Sequence, residues 1–431
     1  MTSTRNTIRY LYGLQHRGMK FGLRNIRALL GAVGHPERLF PSIHIAGTNG
    51  KGSTAAFIAS AFQEAGYCTG LYTSPHLIRF TERIRINGEE IPEQRLAEYV
   101  RTLRPSIDAV GATFFEATTC IAFLYFADEG VDCAVIETGL GGRLDATNVL
   151  RPMISVITNV SLEHKEFLGS TVARIAREKG GIIKPGVPVV TASDDPEVLG
   201  ILRRIALRRR ARLWESGRVV GLVGRGRGRI SISSRSLRIA GVFPGLRGTF
   251  QRRNIALAAS TLAVLRRSAH FRRWFPRVGS AALRRGIARV RANTGLRARF
   301  EKCSANGTML IDVAHNPAGI EALVGELSRM KHPPRVAVFG VMRDKEYRLM
   351  LGSLRRIVDA IVAVAPQMKR ALPVARIVGE ARQLGIRCVR GGSVAHGLRR
   401  ARAVARKGTI LVTGSHFVAG EALREVRRED A

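Results

Sequence analysis

The sequence predicts two α/β domains in tandem, the first built around a phosphate loop and the second smaller. Three observations lead there. The stretch "IHIAGTNGKGST" (43–54) reads as a strand entering a glycine-rich loop and then a helix, the layout that holds nucleotide phosphates. Apolar, β-rich runs alternate with helix-length segments in two separate series, which argues for parallel sheets flanked by helices. A chain of 431 residues also exceeds the roughly 250 to 300 residues at which single cores divide.

Taken in order, the first series comprises "SIHIA", a helix after Lys51, "CTGLYTS", "CAVIETG", "ISVITNV", a helix through "VARIAREKG", and "PVVTAS". An arginine-rich stretch, "RRIALRRRARLWESGRVVGLVGRGRGRISISSRSLR", then reads as a helix followed by a hairpin. The segment Arg289 to Arg299 lacks clear periodicity and is the expected hinge, so the domains are placed at 1–294 and 295–431. The second series begins near Thr308 with "TMLIDVA" and continues through "RVAVFG", "AIVAVA", "IRCVR" and "TILVTGS".

Composition narrows the function classes. The longest apolar run, around Ala117 to Ala127, is shorter than the roughly 18 residues of a membrane span and is broken by Thr118 and Thr119. Cys68, Cys120, Cys133, Cys303 and Cys388 are odd in number and contain no C-x-x-C pair, which suggests neither a disulfide framework nor a zinc site. The first 36 residues are basic without an acid, as in a transit peptide, but the whole chain is acid-poor, and a reducing cytoplasm is the expected location. The net charge is +37, with 60 of the 70 basic residues arginine. Such a surface attracts polyanions. The basic residues run from end to end without an aromatic-interleaved motif, however, which argues for solvated faces and against nucleic acid as a partner.

Within the loop, Gly47, Gly50 and Gly52 permit positive φ and close approach, so backbone N–H groups from Asn49 to Ser53 can turn onto a phosphate. Lys51 supplies charge to the outer phosphates, and Ser53 or Thr54 a hydroxyl for magnesium. The spelling departs from G-x-x-x-x-G-K-[ST], because Gly52 follows Lys51 and the hydroxyl comes one residue late. "SPHLIRFTERIRING" (74–88) holds His76, Arg79, Arg83 and Arg85, a basic loop suited to a carboxylate. "TFFEATT" places Glu116 at a helix start, and "VIETGLGGRLDATN" ends a strand at Glu137, where an acid beside a phosphate loop meets magnesium.

The segments "GTNGKGS", "SPHL", "TFFEATT", "ETGLGGRLDATN", "EHKEFLGSTVARIAREKGGIIKPG", "FQRRN", "IDVAHNP", "FGVMRDKE" and "VTGSHF" occur in the order seen in the folylpolyglutamate synthase and dihydrofolate synthase family, within the Mur ligase superfamily. The chain resembles that family from about Phe21 to Leu423, and the late-hydroxyl loop is the family spelling. The resemblance implies a Mur-ligase-type ATP-binding domain followed by a Rossmann-like domain, and ATP-driven ligation of L-glutamate to a pteroate or folate carboxylate through an acyl phosphate. It implies a bifunctional synthase, with a single-activity synthase as the alternative, acting as a monomer.

Residue by residue, the resemblance implies that Gly47, Thr48, Asn49, Gly50, Lys51, Gly52 and Ser53 hold ATP together with Gln251, Asn254, Arg299 and Asp312. Ser74, His76, Arg83, Glu116, His315 and Ser415 fall on the acceptor and glutamate side. Of two magnesium ions, Ser53 and Glu137 match ligands of the first, and His164 and Lys179 those of the second, Lys179 as a carbamate. A potassium ion is left open. Taken singly, Asp312 and Ser415 also read as plain helix caps. Three positions depart from the family. Arg297-Ala298-Arg299 stands where Pro-Gly-Arg is usual, Glu163 replaces an aspartate, and Gly180 replaces an alanine.

Overall fold

The computed structural model describes residues 4–18, 20–225, 228–303, 309–406 and 408–429. The chain forms two compact units. The first comprises Met1–Pro75, Phe80–Gly245 and Gln251–Leu296, and the second His76–Arg79, Leu246–Phe250 and Arg297–Ala431. A single cut does not describe this division, because two short segments from the first 250 residues join the second unit. Arg424 Nη2, for example, donates to the Ile78 carbonyl at 2.7 Å.

The first unit is built on β1 (Ser42–Ala46), β2 (Thr69–Tyr72), β3 (Ile84–Ile86), β4 (Glu89–Glu90), β5 (Cys133–Glu137), β6 (Ile154–Ile157), β7 (Val189–Thr191) and β8 (Leu213–Glu215), in the order β4-β3-β2-β5-β1-β6-β7-β8. From β2 to β8 every pair is parallel. β3 and β4 close one edge antiparallel. The central strands "CAVIE" and "ISVI" are buried at every position, as continuous apolar runs between two helical layers must be. Part of the segment read from sequence as a basic loop is therefore the antiparallel strand β3, with Arg85 paired opposite Leu71.

β9 (Gly221–Arg225), β10 (Arg229–Ser233) and β11 (Arg238–Val242) form a separate antiparallel sheet. This contains the expected hairpin, although its tip at 226–227 lies outside the described residues. β8, which sequence did not anticipate, precedes it and extends the large sheet.

The helix Lys51–Glu64 is small or apolar almost all round and buried from Gly52 to Phe62. It packs against Ser280–Thr294, where a Cβ on Gly286 would lie 2.7 Å from the Ala61 nitrogen, so only glycine permits the approach. The expected hinge is thus corrected: residues 289–294 are the last turns of this helix. Leu283, Gly286, Ile287, Val290 and Thr294 follow helical spacing on its buried face, but two of them are not apolar letters, which hid the periodicity. The irregular stretch begins at Gly295, which caps the helix at φ +62°.

The second unit holds β12 (Glu301–Cys303), β13 (Met309–Ile311), β14 (Val336–Phe339), β15 (Ala360–Val364), β16 (Arg387–Gly392) and β17 (Ile410–Thr413), in the order β12-β13-β17-β14-β15-β16. All pairs are parallel except the β12 edge. Thr308, where the second series was expected to begin, lies outside the described residues. Alternate residues serve two cores: Leu310, Ala337, Phe339 and Ile361 pack on one face, and Met309, Ile311, Val338 and Val362 on the other. Both faces are covered, as parallel sheets require. Among the described residues no helix is long and apolar enough to cross a membrane.

Candidate active site

In the first unit the phosphate loop leaves the C-terminal end of β1, between β5 and β6, where open parallel sheets place their ligands. Gly47 has φ +152°, and a Cβ there would sit 1.8 Å from Thr158 Oγ1. Gly50, at φ +84°, would meet Asn254 Oδ1 at 2.3 Å. These two glycines are therefore demanded by close approach as well as by φ.

The loop is tied to the chain after β6. Thr48 N donates to the Asn159 carbonyl at 2.9 Å, Asn49 N to Asn159 Oδ1 at 2.8 Å, and Thr158 Oγ1 to the Asn49 carbonyl at 2.7 Å. Asn159 and Thr158 were not singled out in the sequence. Their only signal is position, at the end of the strand beside β1.

Two lysines meet at this loop. Lys51 Nζ donates to the carbonyls of Gly47 at 3.1 Å and Thr48 at 3.3 Å. Lys179 Nζ, from the buried face of the helix Val172–Gly180, donates to the same Gly47 carbonyl at 2.6 Å. Burial, and then the charge of Lys51, bring the Lys179 amine down to about 7. A Cβ on the following Gly180 would lie 2.6 Å from Ile205 Cδ1, so an alanine here would need that side-chain end to shift.

Glu137 ends β5 opposite Ile45 and is buried. Its Oε2 accepts from Ser74 N at 3.1 Å. The turn after Glu137 is shaped by Asp145, another residue missed in the sequence. Its Oδ2 accepts from Gly139 N and Leu140 N at 2.9 and 2.8 Å, and its Oδ1 from Thr147 N and Oγ1. Burial pushes this carboxyl up, against those four donors.

Thr147 Oγ1, having given its hydrogen to Asp145, accepts from His44 Nε2 at 2.8 Å. That fixes the tautomer and leaves Nδ1 buried with no hydrogen-bond partner among the described residues. Burial lowers this imidazole to about 3, far below its ordinary 6.5. Since the unfolded chain binds the proton first, stability should fall as pH drops from about 6.5 toward 3. His44→Gln, which keeps the bond to Thr147, should remove about 2 to 3 kcal/mol of the stability difference between pH 7.5 and 4.5. Urea unfolding at both pH values checks this, and an unchanged difference would sink it.

Further expected residues belong to this unit. The Glu116 carboxylate accepts from Thr113 N at 2.7 Å and Thr113 Oγ1 at 2.9 Å, closing a capping box on the helix Phe114–Asp128. Arg83 is buried with its guanidinium 5.2 Å from the Phe114 ring centroid. His164 stands at φ +49° before the short helix Lys165–Leu168, its Nε2 3.7 Å from Glu163 Oε1. Gln251 Oε1 accepts from Asn254 Nδ2 at 2.8 Å. Ser53 is buried in the first turn after the loop.

In the second unit, buried Asp312 follows β13, its oxygens accepting from Phe300 N and Ala314 N at 2.8 Å each. Burial raises its carboxyl and the charge of Arg299 opposes the shift. His315 Nδ1 lies 2.9 Å from the Val313 carbonyl, and its ring 5.0 Å from that of His416. Ser415 Oγ accepts from Val418 N at 3.0 Å in the first turn of helix His416–Glu429, a cap as well as a candidate contact. His76 belongs to this unit. Ala298 keeps φ +57° without the family's glycine, while Glu301 holds the turn by accepting from Arg297 Nε at 2.6 Å and Ala298 N at 2.7 Å.

Among the described residues no three His, Cys, Asp or Glu side chains gather as a metal-binding group. Ser53 and Glu137 are hard oxygen donors, suited to a magnesium ion that takes its remaining ligands from phosphates and water.

Comparison with known proteins agrees with this geometry. Residues 45–217 match the Mur ligase middle domain, and residues 298–416 the Mur ligase glutamate ligase domain. The chain is 37% identical over 366 residues to the dihydrofolate synthase/folylpolyglutamate synthase of Bacillus subtilis, covering 82% of this chain and 83% of that protein. It is 34% identical to the folylpolyglutamate synthase of Lacticaseibacillus casei, covering 86% and 87%. Its structure superposes on that of Escherichia coli FolC in complex with DHPP and ADP with a TM-score of 0.86 at 28% identity, over 99% of this chain and 98% of that one. Mycobacterium tuberculosis folylpolyglutamate synthase complexed with ADP gives 0.87 at 28% identity, over 98% and 99%. The chain belongs to the dihydrofolate synthase/folylpolyglutamate synthase family of Mur ligases.

Proposed function

We propose that this protein uses ATP to join L-glutamate to the carboxylate of dihydropteroate and of reduced folates, serving as both dihydrofolate synthase and folylpolyglutamate synthase. One observation carries the reading most strongly: Lys51 and Lys179 converge on the Gly47 carbonyl beside a strand that ends in buried Glu137. The relatives' names and the ADP complexes of related structures support the substrates.

In this reading the loop amides and Lys51 take the ATP phosphates, and the γ-phosphoryl group passes to the acceptor carboxylate. The amine of glutamate then attacks the acyl carbon, and phosphate leaves. Both partners are anions, so the burden on the protein is charge stabilisation. Ser53 and Glu137 would hold one magnesium ion, which offsets phosphate charge. His164 and Lys179 would hold a second ion only if Lys179 is a carbamate, because a protonated amine repels a cation. Gln251, Asn254, Arg299 and Asp312 serve the nucleotide, and Ser74, His76, Arg83, His315 and Ser415 the acceptor and glutamate. Glu116 contributes through the helix it caps.

The test is phosphate release from ATP with magnesium and L-glutamate, run with dihydropteroate or tetrahydrofolate and with products identified by mass. Turnover with both acceptors is expected. Turnover with one alone would reduce the protein to a single-activity synthase, and silence with both, in folded protein that binds ATP, would overturn the reading.

A further inference from the structure

The distribution of acids separates one region from the rest of the chain. Thirty-three acidic residues spread evenly would place about six in any 85-residue stretch, yet residues 216–300 contain none and hold twenty arginines. A chain-wide preference for arginine over lysine explains the type of base, but it does not remove acids. The missing carboxylates call for a separate cause.

Within the first unit, arginines distant in sequence meet around aromatic rings. The guanidinium carbons of Arg212 and Arg267 lie 4.1 and 4.2 Å from the ring centroid of Trp214 on β8. Arg272 Nη1 donates to the carbonyls of Arg266 and Arg267 at 2.7 and 3.1 Å, joining the helix Ala269–Trp274 to the same cluster. Arg273 and Trp274 are exposed, and the Trp274 ring lies 4.2 Å from that of His270. Among the described residues no carboxylate pairs with Arg212, Arg267, Arg272 or Arg273. Two cations held on one indole repel each other, and a bridging phosphate would relieve that repulsion.

We propose that this face binds single-stranded nucleic acid, with the guanidiniums taking phosphates and Trp274 stacking on a base. Planar, weakly hydrated arginine beside an exposed indole is the pairing that single strands use, phosphate attraction with sequence-tolerant stacking. Arg267, Arg272, Arg273 and Trp274 lie together in "RRSAHFRRW" (266–274), while Arg212 and Trp214 join them from a distant stretch of the chain. A lipid surface fits less well. The helix "AHFRRW" presents no apolar stripe, since its other large ring, Phe271, is buried.

The test uses the full chain and a fluorescent 20-nucleotide poly(U), read by anisotropy across a potassium chloride series. Affinity is expected to fall linearly on log–log axes with a slope of about −0.7 per phosphate contacted. The triple variant R267E/R272E/R273E should bind at least tenfold more weakly, and W274A about fivefold, while glutamate-dependent phosphate release stays unchanged. A control reversing three exposed arginines of the second unit, R382E/R399E/R427E, should lose less than twofold. Equal losses in both triples would mean diffuse charge and overturn the proposal, as would absent RNA binding. Tighter capture by phosphatidylglycerol vesicles than by poly(U) would overturn it in favour of a lipid.

Discussion

Lys51→Ala should lower ligase turnover by about a thousandfold, with little change in melting temperature. Removing one well-placed charge donor from a phosphoryl-transfer site costs about two to three orders of magnitude, and the loop lysine serves ground state and transition state together. Its ammonium is held at the loop by the Gly47 and Thr48 carbonyls, and in the proposed reaction these bonds exchange for phosphate oxygens. Those carbonyls are weak reasons for stability, because Lys51 is only partly buried and water can replace it. Lys51→Arg should recover little, since a planar fork does not fit where a compact ammonium sits. Phosphate release and nucleotide titration on the same preparations check this. Wild-type turnover in Lys51→Ala would remove the loop from the catalytic site.

Lys179→Ala should cost a comparable factor, with partial recovery in formate or acetate. Lys179 is almost fully buried, and its amine, brought down to about 7, is free base in about half of the molecules at neutral pH. A free amine adds to carbon dioxide: its lone pair forms the N–C bond and one proton is released, leaving an anion in place of a cation. That exchange would also reverse the repulsion between Lys179 and Lys51. Small carboxylates can occupy the space left by alanine and restore the negative charge. Activity in wild type should fall when dissolved carbon dioxide is removed and return on adding bicarbonate. A loss insensitive to carboxylates and bicarbonate would leave Lys179 as an anchor for the Gly47 carbonyl and end the carbamate proposal.

Much of this architecture was readable along the chain, and the exceptions share a cause. Local patterns announced the loop, the strand ending at Glu137 and most parallel strands, because glycine placement and apolar runs act over a few residues. Asn159 escaped because its partner, Asn49, lies 110 positions away. Asp145 escaped for a different reason, its bonds being short-range but hidden in a glycine-rich turn. Glu116 was noticed without its cap: Thr113-x-x-Glu116 is a capping-box spelling, and Glu116 Oε2 accepts from both Thr113 N and Thr113 Oγ1. The terminal turns 289–294 were missed because Val290 and Thr294 alone are buried there, and only one of them is apolar. The two-residue β4 and three-residue β12 are too short to show a period at all.

The sheet order of the first unit bears on how the protein is made. β1 is synthesised before both of its neighbours, since β5 and β6 begin 91 and 112 residues later. At about 5 to 20 residues per second, "SIHIA" waits several seconds without a pairing partner. The phosphate loop waits longer still, since Thr48 and Asn49 need Asn159 to take their shape. The nascent chain must therefore carry this strand, buried at every position once folded, unpaired while the 91 residues up to β5 are added, an exposure set by the strand order rather than by the finished enzyme.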